Sequence, residues 1–239
     1  MGKGDIESGF SSSNGLYPSM MESPELRWGF IRKVYMLVSV QLLITSLVSS
    51  LFIFYQPWHD FARRGNNRLF VLIGCLVFTL ILLFPLYKWH KKHPVNLILL
   101  GLYTLGMAFT VGIVCAFVEG TIIMMAAALT GVVVLSLTVY TFWAVKRGAD
   151  FSFLGPFLFA ASMLLLAFAL IQFVLPFGHM GRMVFSGIGA LLMCGFIIYD
   201  TANLIENYSY DDYIWAAIAI YGDIINLFLY LLTFLDELL

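Results

Sequence analysis

Residues Phe196–Phe228 read FIIYDTANLIENYSYDDYIWAAIAIYGDIINLF, two apolar runs joined by a short polar segment. Each run holds one aspartate, Asp200 in the first and Asp223 in the second. Asn203 and Asn226 each follow their aspartate by three positions, so each pair shares a helix face. The polar segment, about Glu206–Asp212, is short enough to make the flanking helices antiparallel neighbours. Asp200 lies six positions before Glu206, ~9 Å along a helix, and Asp223 eleven after Asp212, ~16 Å. The depths differ by about one helical turn, so the two carboxyls can meet.

Moving outward, the rest of the chain is built like this pair. Of 239 residues 61% are hydrophobic and only 11% charged, with a mean hydropathy of +0.92. A soluble surface needs more charge than that. Apolar runs follow one another over Val34–Tyr55, Leu69–Tyr87, Val95–Val118, Thr121–Val145, Phe151–Leu175, Met183–Ile205 and Tyr213–Leu235. These are seven expected transmembrane helices, because about 20 apolar residues cross a bilayer. The reversal between the third and fourth is placed at Glu119-Gly120, the only break in an apolar stretch too long for one span. The runs lack period-2 alternation, which excludes a transmembrane barrel. The expected fold is an all-α seven-helix bundle over 26–239, preceded by a flexible polar tail over 1–25.

Charge sets the expected orientation. Lys3, Arg27, Arg32, Lys33, Lys88, Lys91, Lys92, Lys146 and Arg147 fall on the N-terminal side; Arg63, Arg64, Arg68 and Arg182 fall opposite. The basic excess predicts a cytosolic N-terminus. Trp28, Trp58, Trp89, Trp143 and Trp215 lie near run ends, as an interfacial belt does. Gly187, Gly189, Ala190 and Gly195 in the sixth run, and Ala126–Ala128 in the fourth, are expected helix contacts. His59, His90, His93 and His179 fall in loops and read as part of a polar rim. Cys75, Cys115 and Cys194 lie within apolar runs without metal-ligand spacing and read as buried hydrophobes. A net charge of −1 offers no basic face for nucleic acid.

An aspartate in a membrane core is costly and tolerated where it faces protein or water. Two that meet resist double ionisation through desolvation and mutual repulsion, and share a proton in their resting state. Asp200 and Asp223 are thus expected to form a proton-responsive pair. Tyr199, Asn203, Tyr221 and Asn226 are its candidate hydrogen-bonding surroundings. Glu119 is a candidate acid at a pore mouth, and Asp150 a favourable charge before the fifth helix.

Several stretches together resemble the transmembrane BAX inhibitor motif (BAX inhibitor-1-like) family, and most of all its Lifeguard subgroup. They are Tyr199-Asp-Thr, Tyr213, Tyr221-Gly-Asp-Ile-Ile-Asn-Leu-Phe-Leu-Tyr-Leu-Leu232, Phe30-Ile-Arg-Lys-Val-Tyr35, Gln41-Leu-Leu43, His93-Pro-Val-Asn-Leu97 and Asp150-Phe151. The short tail is similar to that of plant members. The resemblance implies a non-enzymatic seven-helix protein of the endoplasmic reticulum, Golgi or vacuole, with the plasma membrane as alternative. It implies calcium leak from stores, a role in stress responses and suppression of cell death. Asp200 and Asp223 match the family's pH-sensing aspartates. No cofactor is implied; calcium is the transported ion, at most transient near Asp200 and Asp223, with no firm metal site. Protons, membrane lipids and membrane proteins of cell-death or stress pathways are the implied partners. Some members pair a second-helix arginine with the two acids, but Leu69–Tyr87 holds no basic residue.

Rival readings fit less well. A membrane adaptor acting only through protein partners is the main alternative. Intramembrane aspartyl proteases also place two aspartates on successive helices. Here Tyr199-Asp200 matches, but Ile220 stands where their Gly-x-Gly-Asp element needs glycine, and the last proline is Pro176. A retinal protein needs a lysine in the last span, which Tyr213–Leu235 lacks.

Overall fold

The computed structural model describes residues 24–57, 68–175 and 178–239. Most of the expected tail, and Trp58, His59, Arg63 and Arg64, lie outside the described residues.

Seven long helices are present among the described residues: α1 Pro24–Phe54, α2 Arg68–Trp89, α3 Val95–Cys115, α4 Gly120–Lys146, α5 Leu154–Val174, α6 His179–Glu206 and α7 Tyr213–Leu238. All seven are long and apolar enough to cross a membrane. A single 3₁₀ turn, Tyr210–Asp212, joins α6 to α7. The reversal at Glu119-Gly120 is where it was expected: α3 ends at Cys115, and Glu119 is the extended residue before α4.

The first helix differs from its sequence reading. It starts at Pro24, ten residues before the apolar run, with proline at its first position and Glu25 in its first turn. Hydropathy passes over this segment because Arg27, Arg32 and Lys33 interrupt it. The burial pattern explains it: Arg27, Phe30, Ile31, Val34 and Val38 are all buried, at the spacing of one helix face. Over 31 residues α1 is about 46 Å long, well beyond a ~30 Å hydrocarbon core.

α7 is the hub. It packs against α6 most extensively and also against α4, α1 and α3; α2 leans on α3, and α5 on α6. Burial follows that order. α3 and α7 supply much of the core, while α2 and α5 present Phe78, Ile81, Phe84, Phe157, Phe159 and Leu164 outward. In water such a surface would aggregate; in a bilayer it is the solvated face.

The α6–α7 approach depends on the small residues singled out in the sequence. A Cβ at Gly189 would run into the Tyr230 ring, and one at Gly187 would meet Phe234 at 3.5 Å. Gly195 leaves similar room for Leu158 on α5. Ala126 is buried, but Ala127 and Ala128 are exposed, so only part of the alanine cluster is a helix contact.

Candidate functional site

The α6–α7 hairpin is pinned at both ends. At one end Arg182 on α6 makes a two-pronged ion pair with Glu237 on α7, and His179 stands 3.3 Å from the same carboxylate. At the other end Arg27 reaches over from α1. Its Nε donates to Ile205 O at 2.8 Å, Nη2 to Leu204 O at 2.8 Å and Nη1 to Tyr208 O at 2.5 Å. These carbonyls close the α6 C-terminus, where the backbone lacks partners and carries partial negative charge. Arg27 is only 8% exposed and also packs over the Phe30 and Tyr210 rings.

Between these pins the register brings Asp200 and Asp223 together. The two carboxyls lie within hydrogen-bonding reach of each other. Carboxylates are acceptors only, so a bond between them requires a proton on one. Asp223 is 9% exposed, and its Oδ2 accepts no hydrogen bond from any described N–H or hydroxyl. Asp200 is half-buried and bonded by Asn203, whose Oδ1 in turn accepts from Asn207 Nδ2 at 2.8 Å.

The other sequence candidates divide. Asn203 lies against Asp200. Tyr221 is fully buried, but its hydroxyl lies 2.8 Å from Thr45 Oγ1 on α1. The Thr45 proton goes to Gln41 O, so Tyr221 donates. Tyr221 therefore ties α7 to α1 and does not bond the acids. The Tyr199 side chain turns toward α5, where its hydroxyl sits over Gly155. Asn226 is exposed, whereas Ile225 and Leu227 on either side of it are buried. Glu119 is exposed at the α3–α4 turn. Asp150 caps a turn instead of a helix: its Oδ1 accepts from Ser152 N at 2.8 Å and its Oδ2 from the Ser152 hydroxyl at 3.0 Å. Those bonds hold its carboxyl below the usual carboxylate range.

Sequence reading missed other groups around the pair. Tyr103 on α3 lies within electrostatic reach of Asp223, its ring edge-on to Tyr221. Tyr208, in the α6–α7 turn, feels both acids: burial holds its hydroxyl above the ordinary phenol range, and the charges of Asp200 and Asp223 push the same way. His90 and His93 are also more than a rim. Tyr213 OH lies 2.6 Å from His93 Nε2 and accepts from the fully buried Asn96 at 2.7 Å, while Lys33 caps the Tyr213 ring at 3.3 Å. His90 stands 3.5 Å from Asp212. The signal that pointed here was Asn96, an amide one residue into an otherwise apolar run. Among the described residues no group of three or more His, Cys, Asp or Glu side chains is placed to hold a metal ion.

Seven apolar helices around a buried carboxyl pair define a multi-pass membrane protein. Residues 27–238 match the family described as Inhibitor of apoptosis-promoting Bax1 (Bax1-I), and the chain belongs to that family. It is 54% identical to Protein LIFEGUARD 4 of Arabidopsis thaliana, over 97% of this chain and 94% of that one. It is 38% identical to Protein lifeguard 4 of Mus musculus and 39% identical to the Golgi anti-apoptotic protein of Vaccinia virus (strain Lister). Both matches cover 90% of this chain and 87% of the relative.

Proposed function

We propose that the protein inhibits cell death by acting as a pH-modulated calcium leak pathway of an intracellular membrane, with Asp200 and Asp223 as the sensor. Inhibition of cell death is supported by the family's description and by the name of the viral relative. The leak and its sensor rest on one observation, the meeting of two carboxyls between the two most closely packed helices. With one proton the pair is held by a hydrogen bond; with none it is two like charges in a confined space. Proton occupancy therefore biases the α6–α7 interface between two arrangements, and a ligand or proton shifts such an equilibrium by its differential affinity for them. Calcium takes six to eight oxygen ligands, so two carboxyls give a transient stop and not a storage site. The membrane of an acidifiable store, such as the endoplasmic reticulum, Golgi or vacuole, with the N-terminus cytosolic, suits this role.

The test is calcium flux from proteoliposomes between pH 5 and 8, for the native protein and for Asp200→Asn and Asp223→Asn. The expected outcome is a pH-dependent flux whose profile flattens in both variants. Identical profiles in all three sink the sensor. The second reading, an adaptor that protects cells through protein partners alone, is favoured by relatives named for apoptosis and not for ions. It predicts that both Asn variants protect stressed cells as well as the native protein does.

A further inference from the structure

Where α2 ends and α7 begins, a pocket of about 680 Å³ opens at the edge of the bundle. Its walls are sorted by depth. Tyr87 stands two residues before the end of α2, and Trp215 two after the start of α7. Both are therefore about 3 Å inside their helix ends, at the headgroup level where amphipathic rings settle. Ile218, which is buried, and Ala219 lie one turn deeper on α7 and make the inner end apolar. Lys88, His90 and Asp212 line the pocket at the helix ends.

An interfacial belt alone accounts for rings that face lipid. Here three rings, Tyr87, Trp215 and Tyr208 of the α6–α7 turn, border one space together with an acid. The Tyr87 and Trp215 rings are tilted by 56° with centroids 6.1 Å apart, a corner and not a stack. A cation within about 6 Å of such centroids is drawn to the π faces, and Trp is the strongest partner.

The Asp212 carboxylate is open to such a cation. His90 Nδ1 lies 2.7 Å from Tyr87 O, which can only accept, so that nitrogen carries the hydrogen. The neutral imidazole then has none to give Asp212, whose Oδ1 is 3.5 Å from Nε2. The Lys88 ammonium is turned to the Trp89 ring, 5.8 Å from its centroid. The pocket thus offers an anion beside aromatic rings and a cation on its rim. A zwitterion matches both. An anionic headgroup meets Asp212, and a soluble cation leaves the apolar inner end bare.

We infer that this pocket binds the phosphocholine headgroup of a membrane lipid. The quaternary ammonium sits in the Tyr87–Trp215 corner beside Asp212, and the phosphate faces Lys88. A quaternary ammonium has no N–H, so ring faces and charge hold it without hydrogen bonds. A primary ammonium still seeks acceptors that the rings do not supply. The lipid's chains leave past Ile218 and Ala219. The inference is independent of the calcium reading, since it needs no ion movement and no proton change at Asp200 or Asp223.

The test is native mass spectrometry of the full chain with phosphatidylcholine, phosphatidylethanolamine and phosphatidylglycerol of identical acyl chains. One phosphatidylcholine is expected to be retained in preference to the other two. Tyr87→Leu and Trp215→Leu keep an apolar contact and lose a ring. Each is expected to lower phosphatidylcholine retention about three- to tenfold, as loss of one cation–π contact does, with phosphatidylglycerol unchanged. Asp212→Asn lowers it likewise. Trp143→Leu, near the Lys146 end of α4, changes nothing. Tyr87 is largely exposed, so its variant carries the test should Trp215→Leu fail to fold. A phosphatidylcholine with a diazirine in its headgroup should label 87–90 and 208–219. Equal retention of the three lipids, a preference for phosphatidylglycerol, equal loss of all three in Tyr87→Leu, or soluble phosphocholine held as tightly as the lipid overturns the proposal.

Discussion

Arg27 donates to three carbonyls at once, a fork that a lysine's single ammonium cannot reproduce. Arg27→Met leaves those carbonyls without donors at the rim of the core. Bonds from charged donors contribute about 1.5–3 kcal/mol each, so a loss of about 2–4 kcal/mol is expected after partial hydration of the α6 end. Thermal unfolding in detergent measures it, and Arg27→Lys should recover less than half. Asp150 makes a contrasting case. Its folded-state pKa is lowered, so its contribution is complete above the ordinary carboxylate value and is lost as pH falls through the lowered one. Across pH 5 to 8 it stays ionised. Asp150→Asn is therefore expected to leave the pH profile of calcium flux in place, which separates a turn-capping aspartate from the buried two.

At the scale of elements, α6 and α7 behave as one hairpin held by Arg182–Glu237 at one end and Arg27 at the other. Their spacing is set between the pins, where Gly189 accepts the Tyr230 ring. Gly189→Leu forces the helices apart; overpacking of this kind costs about 1–3 kcal/mol. The same change separates Asp200 from Asp223, so a lowered unfolding temperature should come with a flattened pH response of the flux. A variant that unfolds earlier yet keeps its pH response breaks that link. The hairpin was legible in the sequence, because an aspartate in an apolar run stands out and the short turn dictates antiparallel packing. The start of α1 was less so. Charged residues hid a helix whose inner face, Phe30, Ile31 and Val34, carries the period plainly once burial is known. Arg27 had no readable partner, since a backbone carbonyl looks the same at every position. Asn226 misled for a related reason: shared spacing with its aspartate does not say which side of the helix the neighbours occupy.

For the whole molecule, one end gathers Arg27, Lys33, His90, His93 and Asp212, and the other holds Arg182 and Glu237. Seven crossings place the start of α1 and the end of α7 on opposite sides, and the proposed orientation, from the basic excess, has the start of α1 in the cytosol. A glycosylation acceptor appended after Leu239 should be modified in microsomes, and one inserted at 91–92 should not; the reverse pattern inverts the orientation. The Arg27 clamp adds a constraint on biosynthesis. Its partners lie 177 to 181 residues further along the chain, so α1 leaves the ribosome long before they exist. Until α6 is inserted, the guanidinium lacks those three carbonyls, while the Phe30 ring of its own helix is already present. Closing that contact is a late, long-range step, and a chain stopped before α6 exposes a basic, half-finished first helix to the cell's quality-control machinery.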